Sequence, residues 1–401
     1  MRRRRRLFQK GLLAALLCLL VLCKTSGTVL AAQEGTAGEE GRADQGAAKE
    51  MEAFIWQQMD EYDLQEIEDG FAELFPQYRL DVDLLFAQIL EGKVLDALSL
   101  FAGGIKDGVT AEFLGMKEIL ICILVIGIIS SLFSNFADIF AGGQISQTGF
   151  YFLYLFLMAV LTRAFVSVSQ TAADTIENIV LFVKLFIPTW FLSVGAASGS
   201  ATAVFYYQMM LLGAYFIESF LMTALLPFVY SYVILALLNG IWAEERLTLL
   251  LDFIKKAIIT ALKVIMGMIT GLSMVQAVIV PVVDRLKISA FRRAVSAIPG
   301  VGGVAEGITE LVIGSAVLIK NSLGILLLVL ILAVCLLPLV RIVAVAGLVK
   351  LGAALTGIMS DKRISGCADR VGEGCFLLFR CVFTAAALFL IVIGVVAYTV
   401  K

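Results

Sequence analysis

The chain has 401 residues, of which 60% are hydrophobic and 16% charged, and its formal net charge is −2. The mean hydropathy is +0.95, and the apolar share lies well above the roughly 45–50% of soluble domains. It contains no histidine, which excludes Ser-His-Asp and Cys-His catalysis and every imidazole–metal site.

Charge is segregated along the chain. Residues 1–32 hold seven basic residues and no acid, residues 33–118 hold six basic and 20 acidic, and residues 119–401 hold 18 basic and 13 acidic. Three regions with different solvents are implied, and the dense basic cluster at the extreme N-terminus offers no nucleic-acid surface.

That cluster has the anatomy of an export signal. Arg2 to Arg6 and Lys10 form a positive n-region, Gly11 to Cys23 an apolar core of 13 residues, and Val29-Leu30-Ala31-Ala32 a run of small residues for cleavage. Residues 1–32 are therefore read as a signal sequence. An uncleaved anchor is the alternative, because Leu30 is a poor residue two places before Ala32. In both cases the basic end stays cytoplasmic and the following segment is expected outside.

Residues 33–118 form an acidic extracytoplasmic helical region. Gln33 to Lys49 is a flexible leader rich in Gly, Ala and Glu. Asp63-Leu64-Gln65-Glu66 has capping-box spacing, and Leu64, Ile67, Phe71, Leu74 and Phe75 then share one face up to Pro76. A second amphipathic piece runs from Asp83 to Leu90 and a third from Val94 to Phe101. Together they predict a small exported helical domain that rests either on the membrane segment or on partners.

Residues 119–401 read as a transmembrane helical bundle. A bilayer core of about 30 Å needs about 20 apolar residues at a rise of 1.5 Å per residue. Crossings are expected at 119–140, 150–169, 179–199, 257–283, 321–343 and 376–400. The apolar run 203–242 is too long for one span, and Glu218 and Pro227 suggest a hairpin within it. The fold class is thus an all-α, polytopic membrane helix bundle of about seven to eight segments. On this count the basic stretch Asp284 to Arg293 is a loop on the outside, against the positive-inside tendency. A single crossing by 203–242 would bring that loop inside.

Nothing points to an enzyme, a cofactor or a metal. Cys18 and Cys23 lie in the signal sequence, Cys122, Cys335 and Cys381 in spans, and Cys367 and Cys375 near a loop, with neither zinc nor redox spacing. Gly300 to Gly303 lacks the Gly-Lys-Ser/Thr of a phosphate loop. Intramembrane charges are candidate functional groups. Lys184 and Lys263 lie close enough to span edges to snorkel. Glu218 either pairs across the bundle with Lys184 or Lys263, marks a polar passage, or is interfacial in a hairpin. Gly195/Gly199, Gly267/Gly271 and Gly303/Gly307 are strips suited to close helix approach.

One stretch carries a resemblance. Phe291-Arg-Arg-Ala-Val-Ser-Ala-Ile-Pro-Gly-Val-Gly-Gly303, then Gly314-Ser-Ala-Val-Leu-Ile-Lys-Asn-Ser-Leu-Gly324, then an aliphatic run through Cys335-Leu-Leu-Pro338 to Arg341 resembles the stage III sporulation protein AE family. The order of signal, acidic segment and spans also fits. The resemblance implies a non-enzymatic component of the mother-cell-to-forespore channel complex in endospore formation. It also implies a multi-pass protein of the mother-cell membrane around the forespore, assembled with other membrane proteins of the stage III sporulation operon and a forespore-side channel partner. Matching residues with an assembly or lining role are Pro299, Gly300, Gly302 and Gly303 at a bend, and Lys320, Asn321 and Gly324 at the start of a long span. The competing reading is a small-solute secondary transporter built on Glu218, Pro227, Lys263 and the Gly300 bend. A scaffold that passes nothing is a third.

Overall fold

The computed structural model describes residues 85–86, 88–89, 118, 120–132, 144–198, 200–241, 246–296, 302–359 and 362–399. Among these no strand occurs. The helices are α1 (Leu120–Leu132), α2 (Gln144–Ser198), α3 (Ser200–Phe220), α4 (Leu226–Asn239), α5 (Thr248–Ser296), α6 (Gly302–Met359) and α7 (Lys362–Thr399). Among the described residues, five stretches are long and apolar enough to cross a membrane: Thr148–Gly195, Tyr207–Asn239, Thr248–Met274, Val317–Ile358 and Lys362–Val395. α1 is a shorter apolar helix.

The expected crossings are helical where they are described but are joined differently. The segments 150–169 and 179–199 are one helix, α2, of 55 residues. Two crossings imply a break in the intervening residues 170–178. That stretch carries neither Gly nor Pro, so nothing in it breaks a helix. At 1.5 Å per residue α2 is roughly 80 Å long, more than twice the thickness of a bilayer core.

The hairpin expected within 203–242 is also absent. α3, a π-helical turn at Leu221–Leu225 and α4 run as one rod, in which the backbone N–H of Leu226 bonds the carbonyl of Leu221. Pro227 explains the wide turn: a proline lacks its own N–H and its ring clashes with the carbonyl four residues back, here Thr223, inside the π turn. The chain absorbs the proline by widening rather than turning. Likewise Asp284 to Arg293 is not a loop but part of α5, and the crossing 321–343 is part of one longer helix, α6.

α2 and the α3–α4 rod are antiparallel. Tyr154 near the start of α2 donates its hydroxyl to Leu237 O, 2.5 Å away near the end of α4, and Phe191 meets Tyr207 at the other end, with ring centroids 6.1 Å apart. Asn239 Oδ1 accepts the N–H of Leu247 at 2.8 Å, closing the turn from which α5 rises beside α4. α6 descends and α7 ascends, and α7 packs against α2, α4, α5 and α6. α7 approaches α4 closely at Gly374, where any Cβ would run into the Val233 side chain. The core holds Tyr154, Phe182, Phe186, Trp190, Tyr232 and Phe389, all essentially inaccessible.

Leu85, Phe86 and Ile89 are helical and buried in this same core. The described residues of that amphipathic piece therefore rest on the helix bundle. The signal sequence, the leader, the capping-box helix and the piece from Val94 lie outside the described residues.

Candidate functional site

Polar groups interrupt the apolar bundle at three heights. The lowest lies two to three turns above the end at which α4 meets α5 and α6 meets α7. There Glu373 of α7 is bonded by Lys255 of α5, stands 3.6 Å from Lys350 Nζ of α6 and accepts the Tyr232 hydroxyl of α4 at 3.4 Å. Lys350 also reaches Asp369 at 2.9 Å, and Arg370 donates to Thr248 Oγ1 at 3.2 Å. A carboxylate in apolar surroundings is tolerated only when paired and hydrogen-bonded. Gly372 makes the pairing possible, because a Cβ there would lie 2.6 Å from Lys350 Cγ and block the lysine stem.

At mid-height Lys184 of α2 donates to Glu218 of α3 at 2.8 Å. This is one of the pairings the sequence left open; Lys263 instead lies exposed on α5. At the upper level Trp190 Nε1–H donates to the backbone carbonyl of Lys320 at 3.2 Å, and the Lys320 side chain is fully buried. Lys320, Asn321 and Gly324 lie near the start of the candidate membrane span Val317–Ile358, which is continuous with the earlier part of α6 rather than set off by a helix junction. Gly302 and Gly303 are its first two residues. Pro299 and Gly300 fall outside the described residues. Of the glycine strips, Gly267 and Gly271 have open space where a Cβ would stand, so they serve no close contact among the described residues.

An apolar groove of about 210 Å³ opens between α3, α5 and α7, lined by Met210, Gly213, Ile217, Met268, Leu272 and Phe389 among others. Its one polar side chain, Ser273, already donates to Ile269 O at 2.8 Å, so its walls offer no polar specificity. No group of three metal-binding side chains exists among the described residues.

Sequence reasoning missed the outward polar rows. On α2, Arg163, Ser167, Gln170, Asp174 and Glu177 are all exposed and fall on one helix face. The signal was present in their spacing of four and three residues. A charged side chain at a lipid-facing helix centre costs about 2.5–3.5 kcal/mol on insertion scales. Such a row is therefore built to face water or protein.

A profile of the family described as "Stage III sporulation protein AE" matches residues 80–399, which is most of the chain and all of α1 to α7. The chain belongs to this family. The stage III sporulation protein AE of Bacillus subtilis (strain 168) is similar to it, at 19% identity over 286 residues, covering 71% of this chain and 72% of that protein. No solved structure matches the chain. A member of the stage III sporulation protein AE family with five helices of membrane-crossing length is a sporulation membrane protein. Low identity over a shared span of this length is what a lipid-facing helix tolerates, since many apolar side chains are interchangeable there.

Proposed function

We propose that this protein is a non-enzymatic, integral component of the mother-cell-to-forespore channel complex and acts by assembly with the other membrane proteins of its operon. The observation that carries the reading is the combination of family membership over residues 80–399 with charged rows on the outside of an otherwise apolar bundle. Outward charge in a membrane protein calls for neighbours. The transporter reading needs discontinuous helices converging at the midplane. Among the described residues, the long helices run through their prolines unbroken.

On this reading Gly302 and Gly303 at the start of α6 give partners a surface free of large side chains. Gly303→Leu is expected to insert normally while lowering both recovery of the partner complex and spore yield; Gly38→Leu in the leader is expected to change neither. Undiminished recovery and sporulation in Gly303→Leu at matched protein level would remove this surface from the mechanism.

The same reading expects residues 33–118 to lie outside the mother-cell cytoplasm. A cysteine at Gly41 is accordingly expected to react with an impermeant maleimide in intact cells. Reaction only after lysis would reverse that orientation.

A further inference from the structure

Two outward rows of the bundle carry charge at the same height, and their signs are complementary. The first is the α2 row from Arg163 to Glu177. The second lies on α5, where Asp252, Lys256, Thr260 and Lys263 are exposed at spacings of four, four and three residues. Among the described residues, none of the charged side chains in either row makes an ion pair within the chain. α7 packs against both helices and stands between them, so the rows do not meet within one molecule.

Their heights follow from common neighbours on α7. A ring carbon of Phe165 on α2 lies 3.7 Å from where a Gly374 Cβ would stand, and Lys255 on α5 bonds the adjoining Glu373. Phe165 and Lys255 are therefore level. α2 and α5 run in the same direction and rise by the same step, so a residue on α2 is level with the one about 90 positions later on α5. Arg163 is then level with Asp252, Ser167 with Lys256, Gln170 with Thr260 and Asp174 with Lys263. Glu177 is level with Gly267, which continues the α5 row and has open space beside it.

We propose that the α2 row of one copy packs against the α5 row of the next, a head-to-tail contact repeated between copies of this chain in the membrane. Copies related by rotation about an axis along the bundle stand at equal height, so the level residues meet directly: Arg163 with Asp252, and Asp174 with Lys263. This removes the charges of both rows from lipid and pairs Arg163, Asp174, Asp252 and Lys263 among them. Because the two surfaces differ, the contact is heterologous and propagates around a ring rather than stopping at a dimer. A two-fold contact between α2 rows would instead set Arg163 against Arg163 and Asp174 against Asp174. The contact is independent of which operon proteins join the complex.

The test uses the full-length chain in membranes of sporulating cells, with Cys122, the exposed cysteine among the described residues, and Cys18 and Cys23 replaced by Ser. Gln170→Cys and Thr260→Cys are introduced singly and together, and the membranes are treated with a short bis-maleimide. Each single variant is expected to stay monomeric, the double variant to give a ladder of multimers, and a co-expressed pair of single variants to give dimers and nothing larger. Asp174→Lys on the Gln170→Cys chain should lower the mixed dimer about tenfold, and Lys263→Asp on the Thr260→Cys chain should restore it. Dimers from Gln170→Cys alone would overturn the proposal in favour of a symmetric contact. So would adducts only to other proteins, or labelling of both cysteines by an impermeant maleimide with no multimer at wild-type protein level. Recovery of operon partners, scored in the same membranes, reports separately on the channel complex.

Discussion

Glu373→Ala is expected to destabilise the bundle by about 3 kcal/mol, because it leaves Lys255 and Lys350 facing one another in apolar surroundings without their shared carboxylate. Breaking one side of a buried ion pair costs about 3–5 kcal/mol. The lower end applies here, since the Lys255, Lys350 and Glu373 side chains keep 29%, 30% and 27% of their exposure. The loss falls on one junction: Glu373 is where α4, α5, α6 and α7 are tied together. Thermal unfolding of the detergent-solubilised chain should begin at lower temperature, and limited proteolysis should cut first around the α4–α5 and α6–α7 turns. Combining Glu373→Met with Lys255→Met and Lys350→Met should recover much of the loss, since well-packed apolar groups replace ion pairs at little cost. An unchanged midpoint in Glu373→Ala would show that the network is too hydrated to hold the helices.

Trp190→Ala is expected to cost about 3–5 kcal/mol, the usual range for deleting a large buried aromatic side chain. Trp190 is fully buried, packs on Phe191 with ring centroids 5.2 Å apart, and holds α2 to α6 through its bond to the Lys320 carbonyl. Trp190→Phe separates the contributions: it keeps most of the volume and loses the hydrogen bond, so about 1 kcal/mol is expected. The two variants should therefore differ severalfold in their loss of stability, measured by chemical unfolding in detergent. If Trp190→Phe were as damaging as Trp190→Ala, the bond to α6 rather than packing would dominate at this level.

Sequence and structure part company at the joints. Two crossings imply a break in residues 170–178, yet nothing local stops the helix there, and the surrounding contacts of α2 with α6 and α7 carry it through. Pro227 reads as a turn by composition. Whether a proline ends a helix or is absorbed depends on whether neighbouring helices hold both sides in line, and here Tyr232, Val233 and Leu237 beyond it are buried. The Lys184–Glu218 pair was one of two pairings open to Glu218, because charge type was visible and helix adjacency was not. The partners of Glu373 are not legible in the sequence: Lys350, Lys255 and Tyr232 lie 23, 118 and 141 residues away along the chain, and only packing brings them to one height.

The sequence by itself determined the membrane character, the all-helical class, the absence of imidazole chemistry and the family, since each rests on composition, period or order along one chain. Tertiary structure decided how many helices those segments make, which charges are paired inside and which are turned outward. The physical reason is that hydropathy reports the free energy of placing a segment in lipid, whereas helix continuity and charge pairing depend on what stands beside it. Asp174 and Glu373 are both acidic residues in apolar helices. Only the fold sends one to the outer surface and the other onto two lysines.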